Sequence, residues 1–585
     1  MVPMRDGVHL AVDVFHPDAD GKFPALVSVG PWSKELSSDL QWVNPPQPPS
    51  TRLWAAPIEA GNSEYLVSRG YVHVIAHIRG LGHSEGSYNI GWGWVGKGTD
   101  AYDLIEWTAE QPWCNGNIGM IGISAYGATQ LFTAIQQPPH LKAIFPYDAP
   151  GDLYRDGFYD GGVLSTFTLA MGRNWAISGL ETDNIQEQKR KAREIREKIA
   201  ARERDPLGFH IAKDVMMYGE PYNILVHPQV NPWLFDLITN PFDGPSYRQR
   251  SFCEHYDKIT IPTYCGSGWY AWTYTHLAGA FRNYAGITRA KAKKLILGPT
   301  VHGPGDRWYH LERPWHQYHD EIVRWYDYWL KGIDTGIMDE PPIKMFVNGV
   351  NRWRYEKEWP LARTVWKKLY TRTFGRLLDD PPASTETTPD VFVQQPLSTT
   401  SEIGRVPYQT APLTRDLEIT GPIALHMYAS IEVEDKDWVD TNWITSIKDV
   451  DPQGIERELT RGWLKASHRA LDPNKSAPGQ PYHLHTKESI EKIEPDKIYE
   501  YAIEVRPTSN VFRVGHRIKL EIMSADVPGP AVFIPPHFCR NDVVVHKIYH
   551  SKEYETYLLL PTIPATDPSQ WLDDERAREL VSLQP

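Results

Sequence analysis

The reading of the fold turns on one stretch, Asn117-Ile118-Gly119-Met120-Ile121-Gly122-Ile123-Ser124-Ala125-Tyr126-Gly127, with Ala128-Thr129-Gln130-Leu131-Phe132-Thr133-Ala134-Ile135 behind it. Its first part is a nearly continuous apolar run, the pattern of a strand buried on both faces, and its second part is compatible with a helix. Between them stands one serine, with a glycine two residues before it and another three residues after. A strand-to-helix turn this sharp crowds its own backbone, and glycine avoids the clash. At average glycine usage of about 7%, the bare string Gly-x-Ser-x-x-Gly recurs by chance in every few chains of this length. The strand-Ser-helix context is what gives it meaning. It exposes the hydroxyl at the carboxyl edge of a sheet, beside the positive end of the following helix dipole. Ser124 is therefore a candidate nucleophile, and the Ala125 N–H a candidate oxyanion donor.

Working outward, PALVSVG (24–30), YVHVIAHI (71–78) and LKAIFPYD (141–148) are further apolar runs, and IPTYCGSGW (261–269) and KKLILGP (293–299) follow later. Such strands imply a parallel sheet with helical crossovers. Helices are expected over 100–111, which has an Asp near its start, and over 316–331, ended by Gly332. Between 151 and 250 the strand signal disappears, and the charged stretch 184–204 reads as one helix of an inserted cap. From about 342 onward alternating strands separated by turn residues take over, among them VFVQQP, GPIALHMYASIEV, YEYAIEVRP and HRIKLEIMSA, the pattern of an antiparallel sandwich. Residues 375–415 have little periodicity and are expected to wrap the surface. There are no internal repeats.

The chain has 585 residues and is 41% hydrophobic, enough for large cores, and its length suggests several domains. With 61 basic against 73 acidic residues, a formal net charge of −12 and no dense Lys/Arg block, nucleic acid is not an expected partner. The 22 Trp point to aromatic-lined cavities or interfaces as well as core. Cys114, Cys253, Cys265 and Cys539 lie far apart and match neither a metal-ligand spacing nor a disulfide framework. The N-terminal MVPMRDGVHLAVDVF lacks the pattern of a signal peptide, and no stretch approaches the roughly 18 apolar residues of a membrane span. A cytoplasmic location is expected.

His302, in Pro299-Thr300-Val301-His302-Gly303, follows the last core strand. A base that comes after the nucleophile in the chain and behind the last strand has the order of the α/β-hydrolases. The chain also resembles the family of cocaine esterase and the X-prolyl dipeptidyl-peptidases, with their α-amino-acid ester hydrolase relatives. The segments that carry the resemblance run nearly end to end. They are MRDGVHLAVDVFHP (4–17), RGLGHSEG (79–86), AYDLIEWTAEQPWCNGNIGMIGIS (101–124), DLYRDGFYDGG (152–162), ILGPTVHG (296–303), YDYWLKGIDTGI (326–337), RGWLKASHRALDP (461–473) and SNVFRVGHRIKLEI (509–522). The resemblance implies an α/β fold: an α/β-hydrolase core at 1–150 and 251–341, a helical cap at 151–250 and a C-terminal, galactose-binding-like β jelly roll at 342–585. It also implies a serine hydrolase that forms an acyl-enzyme on an ester or amide and needs no cofactor. The expected partner is a small-molecule ester or amide, with neither nucleic acid nor a membrane, and self-association is left open.

Two departures from the family's pattern bear on the site. The family's triad acid ends a Gly-Trp-Tyr-Asp motif, where this chain has Gly268-Trp269-Tyr270-Ala271. The family's oxyanion Tyr follows a Pro, where this chain has Pro31-Trp32; an indole N–H donates one hydrogen bond but reaches differently from a phenol. For the acid, the strand LKAIFPY next to the nucleophile strand ends directly in Asp148. Either Asp148 completes a triad with Ser124 and His302, or the site is a dyad. Asp152 fits the cap motif instead, Glu254 and Asp257 precede their strand, and Asp306 lies beyond a Gly-Pro-Gly turn. Asp152, Tyr154 and Arg155 read as a loop lock, and Trp92 and Trp94 as pocket lining. The pairs His73/His77 and His316/His319 lack a third ligand, so no metal is expected. An X-Pro dipeptidyl aminopeptidase and a non-catalytic protein that keeps the pocket are the alternative readings.

Overall fold

The apolar runs on either side of Ser124 assemble into one sheet in the computed structural model, which describes residues 1–31, 59–86, 98–165, 189, 193, 196–197, 200–201, 227, 232–270, 275–300, 317–396, 399–434, 439–526, 543–564 and 571. Strands β1 (Val12–Phe15), β2 (Phe23–Gly30), β3 (Val72–His77), β4 (Cys114–Met120), β5 (Leu141–Ile144), β6 (Thr263–Gly268), β7 (Lys293–Gly298) and β8 (Ile343–Val347) lie in the order β1-β3-β2-β4-β5-β6-β7-β8. Only β1 is antiparallel to its neighbour among these; the others pair in parallel. Ala25, Leu26, Val27 and Val29 of β2 are all buried, which is why that strand reads as a continuous apolar run instead of an alternating one.

After β2 the chain crosses to β3 on one side and then to β4 on the other. Strand order thus reverses between β2 and β4, the place where open α/β sheets leave a crevice at their carboxyl edge. Helices α1 (Ser63–Ser68), α2 (Gly98–Glu110), α3 (Ala125–Gln136), α4 (Thr275–Gly286) and α5 (Gln317–Lys331) accompany the sheet. Helix α2 buries Ala101, Leu104, Ile105 and Thr108, one face at helical spacing. It starts two residues before the expected 100, and Asp100 in its first turn accepts from Arg79 Nε at 2.5 Å. Helix α5 buries Ile322, Trp325, Tyr326 and Leu330. It lies so close to β4 that a Cβ on Gly119 would stand 2.4 Å from the Tyr326 ring.

The chain divides into two compact units, Met1–Asp156 with Asn174–Arg193 and Tyr247–Met345, and Gly157–Arg173 with Glu194–Ser246 and Phe346–Pro585. Most of the expected charged helix 184–204 lies outside the described residues. The second unit is built on β9 (Val365–Arg372), β10 (Arg376–Leu378), β11 (Asp390–Gln394), β12 (Arg405–Gln409), β13 (Leu417–Glu432), β14 (Asn442–Val450), β15 (Glu456–Lys465), β16 (Tyr499–Phe512), β17 (Arg517–Met523), β18 (Val544–Tyr549) and β19 (Tyr557–Ile563).

These strands form a closed β-sandwich. Neighbours run β13-β16-β15-β14-β17-β12-β10-β9-β19, and β19 pairs back onto β13. Strand β13 is 16 residues long and serves two partners along one edge, β19 from Glu418 to His426 and β18 from Tyr428 to Glu432. Leu425, Met427, Trp443, Ile503 and Leu520 fill the interior.

Here the reading of 375–415 as a surface wrap is corrected. The segment contributes β10, β11 and β12, and β12 pairs with β17 from Arg405↔Met523 to Gln409↔Lys519. Pro407 and a strand only five residues long hid it: just Val406 and Tyr408 point inward, too short a run for alternation to register.

Candidate active site

The sharp turn after β4 is built as its glycines require. Ser124 has φ 55° and ψ −116°, a conformation costly for a residue with a side chain, by about 1–3 kcal/mol. Three backbone hydrogen bonds hold it there: Ile123 N–H donates to Glu59 O at 3.0 Å, Ser124 N–H to Tyr147 O at 2.9 Å, and Ala128 N–H to Ser124 O at 2.8 Å. A Cβ on Gly122 (φ 136°) would lie 2.3 Å from Tyr126 Cβ, and one on Gly127 would lie 2.4 Å from Tyr147 O. Both glycines are therefore needed for close approach. The Ala125 N–H opens α3, where the first N–H groups have no partner within the helix.

Asp148 stands beside this turn. Ile123 and Tyr147 form a parallel bridge, as do Tyr147 and Gly266, so the chain past β5 continues between the ends of β4 and β6. Asp148 is fully buried with φ 51°, an allowed left-handed position for Asp. Its N–H donates to Gly266 O at 2.9 Å, and its Oδ1 accepts from Ser267 Oγ at 2.7 Å.

The end of β7 is held against the same edge: Trp269 N–H donates to Gly298 O at 2.9 Å and Tyr270 N–H to Thr300 O at 3.1 Å. Gly268 allows this, since a Cβ there would meet Thr300 O at 2.1 Å. His302 follows two residues later and, with Trp32, Trp92, Trp94, Ala271, Asp306 and His316, lies outside the described residues. His319 falls within α5, and its side chain is not among those described.

The structure adds a residue that the sequence reading missed. His276, in the first turn of α4, is buried, and its Nε2 lies 3.4 Å from Ser124 Oγ. One face of α4 carries it there. Gly279 passes so close to the Ala149 carbonyl that a Cβ would stand 2.4 Å from the oxygen, and Asn283 Nδ2 donates to the same carbonyl at 2.9 Å. His276, Gly279 and Asn283 follow helical spacing, and that small and polar stripe was the available signal.

Other candidates have structural work. His73 is fully buried; its Nε2 and Nδ1 lie 3.0 Å from Ser28 Oγ and 2.9 Å from Ser63 Oγ, and burial pushes its pKa down to about 3. That ring staples β3 to β2 and α1. His77 packs against Gly82, which has no room for a Cβ. Asp152 and Arg155 form the expected loop lock. Asp152 Oδ1 accepts the N–H groups of Tyr154 and Arg155, and Oδ2 accepts from Arg155 Nη1 at 3.0 Å. Burial works against its charge, yet the Arg155 and Arg282 guanidiniums hold its pKa below the ordinary value. Asp156 takes Arg282 Nε at 2.8 Å. Among the described residues no group of three or more His, Cys, Asp or Glu is arranged to hold a metal ion, and no helix is long and apolar enough to cross a membrane.

A parallel sheet with a strained serine at its switch point, followed by a closed β-sandwich, defines an α/β-hydrolase-type serine hydrolase. Residues 6–304 match the X-Pro dipeptidyl-peptidase (S15 family) model and residues 335–559 that of the X-Pro dipeptidyl-peptidase C-terminal non-catalytic domain. The chain belongs to the S15 family.

Among relatives, it is 27% identical to the cocaine esterase of Rhodococcus sp. (strain MB1 Bresler), over 96% of this chain and 98% of that one. Its fold is similar to a CocE/NonD family hydrolase from Staphylococcus aureus (TM-score 0.70, 22% identity, covering 96% of this chain and 92% of that one). It is likewise similar to an aminopeptidase from a marine sediment Thaumarchaeota archaeon (TM-score 0.73, 20% identity, 96% of each chain). The chain is a serine hydrolase that cleaves an ester or amide bond through an acyl-enzyme.

Proposed function

We propose that this protein is an esterase for small carboxylic esters, with Ser124 as nucleophile, His302 as base and Asp148 as the acid that orients the base. The observation that carries the reading is the strained Ser124 at the sheet's switch point, with the buried Asp148 carboxylate at the neighbouring strand end. His302 takes the Ser124 proton as Oγ bonds to the substrate carbonyl carbon. The carbonyl electrons move to oxygen, where the Ala125 N–H and the Trp32 indole N–H stabilise the charge. As the bond to the leaving group breaks, His302 returns the proton to it, and the same base then activates water against the acyl-enzyme. Asp148 accepts the imidazole's other N–H and stabilises the imidazolium.

The preference for esters is supported by the relative described as a cocaine esterase, which matches nearly the whole chain. The reading includes a core at 1–150 and 251–341, a cap at 151–250 and a jelly roll at 342–585. It also includes a cytoplasmic setting, which suits the unpaired thiols of Cys114, Cys253 and Cys265.

The test is a fluorophosphonate probe together with a panel of p-nitrophenyl esters, aryl amides and X-Pro amides. One labelled residue, lost in Ser124→Ala, and turnover of esters ahead of amides are expected. Labelling that survives in Ser124→Ala defeats the nucleophile, and faster turnover of X-Pro amides replaces the esterase with a dipeptidyl-peptidase.

A further inference from the structure

A serine hydroxyl has one proton and two lone pairs, so it donates to one partner and accepts from others. With His302 as the base the proton goes to that residue, and the His276 imidazole stands at the serine oxygen. We propose that His276 is a further catalytic residue, whose Nε2–H donates a hydrogen bond to Ser124 Oγ and stabilises the charge that develops there. The inference rests on the reading of Ser124 as nucleophile and His302 as base.

Three observations support it. Nε2 is 3.4 Å from Oγ, a length at which catalytic hydrogen bonds stand before substrate tightens them. Both groups are buried, His276 at 1% and Ser124 at 4% exposure, so a donor acts there in a low dielectric. The helix that carries the ring is also fixed in position. Gly279 and Asn283 on the same face of α4 dock onto Ala149, the residue after Asp148, so that one packed contact sets the distance between His276 and the end of β5.

The chemistry balances without any proton leaving His276. During acylation the Oγ proton passes to His302 and the Oγ–carbon bond forms; the bond to the leaving group then breaks and that proton leaves with it, while the His276 N–H remains on Oγ. During deacylation water adds to the acyl carbon as its proton passes to His302; the acyl carbon–Oγ bond then breaks, its electron pair returns to Oγ, and the proton on His302 follows. The same N–H assists that departure.

The experiment compares His276→Gln, which keeps an amide donor, with His276→Leu, which has none. The readouts are the rate of fluorophosphonate labelling and p-nitrophenyl ester kinetics from pH 5 to 9, as ordinary probe conditions. Loss of a donor to a developing charge predicts labelling and kcat lowered by roughly 10- to 100-fold in His276→Leu. His276→Gln should recover most of that loss, with KM nearly unchanged in both and the acid limb of the pH profile retained.

Equal loss in both variants together with loss of the acid limb would show that His276 takes a proton instead of giving one, and would overturn the proposal. So would a His276→Leu variant with the wild-type rate, or an effect confined to KM. If His276→Leu fails to fold, His276→Met replaces it as the variant without a donor. The unmodified protein gives an independent check, because a donor predicts one ionisation on the acid limb of labelling and two would refute it. Failure of the underlying reading shows separately, as labelling that persists in Ser124→Ala or at full rate in His302→Gln.

Discussion

The Ser267 hydroxyl donates to Asp148 Oδ1 at 2.7 Å, both groups being fully buried at the ends of adjacent strands. A carboxylate held on one oxygen presents the other in a fixed direction, as an acid that orients an imidazole must. Asp148→Asn should lower kcat by on the order of 10⁴ while leaving the fold intact, since the wrong tautomer of the base is then held. Ser267→Ala removes only the support, and a loss of roughly 10-fold in kcat is expected. Steady-state ester hydrolysis by the two variants, with circular dichroism as the fold control, checks both. Near-normal turnover by Asp148→Asn would remove Asp148 from the site.

Gly127 leaves no room for a side chain, because a Cβ there would meet the Tyr147 backbone carbonyl oxygen at 2.4 Å. Gly127→Ala must push α3 away from Tyr147 O, which also accepts the Ser124 N–H. Overpacking of this kind costs about 1–3 kcal/mol. The variant should melt at lower temperature and label more slowly with fluorophosphonate than the loss of stability alone explains. A variant with wild-type melting and labelling would show that the turn tolerates the extra carbon.

Burial holds the His73 pKa at about 3 in the folded chain, against an ordinary 6.5. Between those values the unfolded chain binds the extra proton, so this residue's contribution to stability is present above pH 6.5 and declines as pH falls. The slope is roughly 1.4 kcal/mol per pH unit while both conditions hold. Urea midpoints should therefore fall between pH 7 and pH 5. His73→Asn should start lower at pH 7 but fall less steeply. An unchanged slope would mean that other groups set the acid sensitivity.

How much of this was legible beforehand follows from what each residue depends on. The core strands showed themselves because burial on both faces leaves an apolar run that needs no partner to be recognised. Ser124 showed itself because its turn demands glycine at set positions. The apolar run has Asp148 end its strand directly, whereas β5 closes at Ile144 and only the isolated bridges of Tyr147 carry the chain on to Asp148. His276 was legible only as part of a small and polar helix stripe, with nothing to tie it to the serine. Its proximity to Ser124 depends on how α4 docks against Ala149, a tertiary distance spanning 152 residues of sequence. Strand β12 escaped notice for the opposite reason: its signal is local, but Pro407 and its brevity contradict it.

The closing strand of the β-sandwich has a consequence for how the chain is made. Strand β19 seals the ring by joining β9 to the first part of β13, and it spans residues 557–563. At ribosomal speeds of about 5–20 residues per second, β13 emerges several seconds or more before the strand that covers its edge. A nascent chain, or one cut short before Tyr557, carries two long open edges. Exposed edges of that kind recruit other chains. Premature stops late in this protein should therefore yield aggregates and not a trimmed, working enzyme.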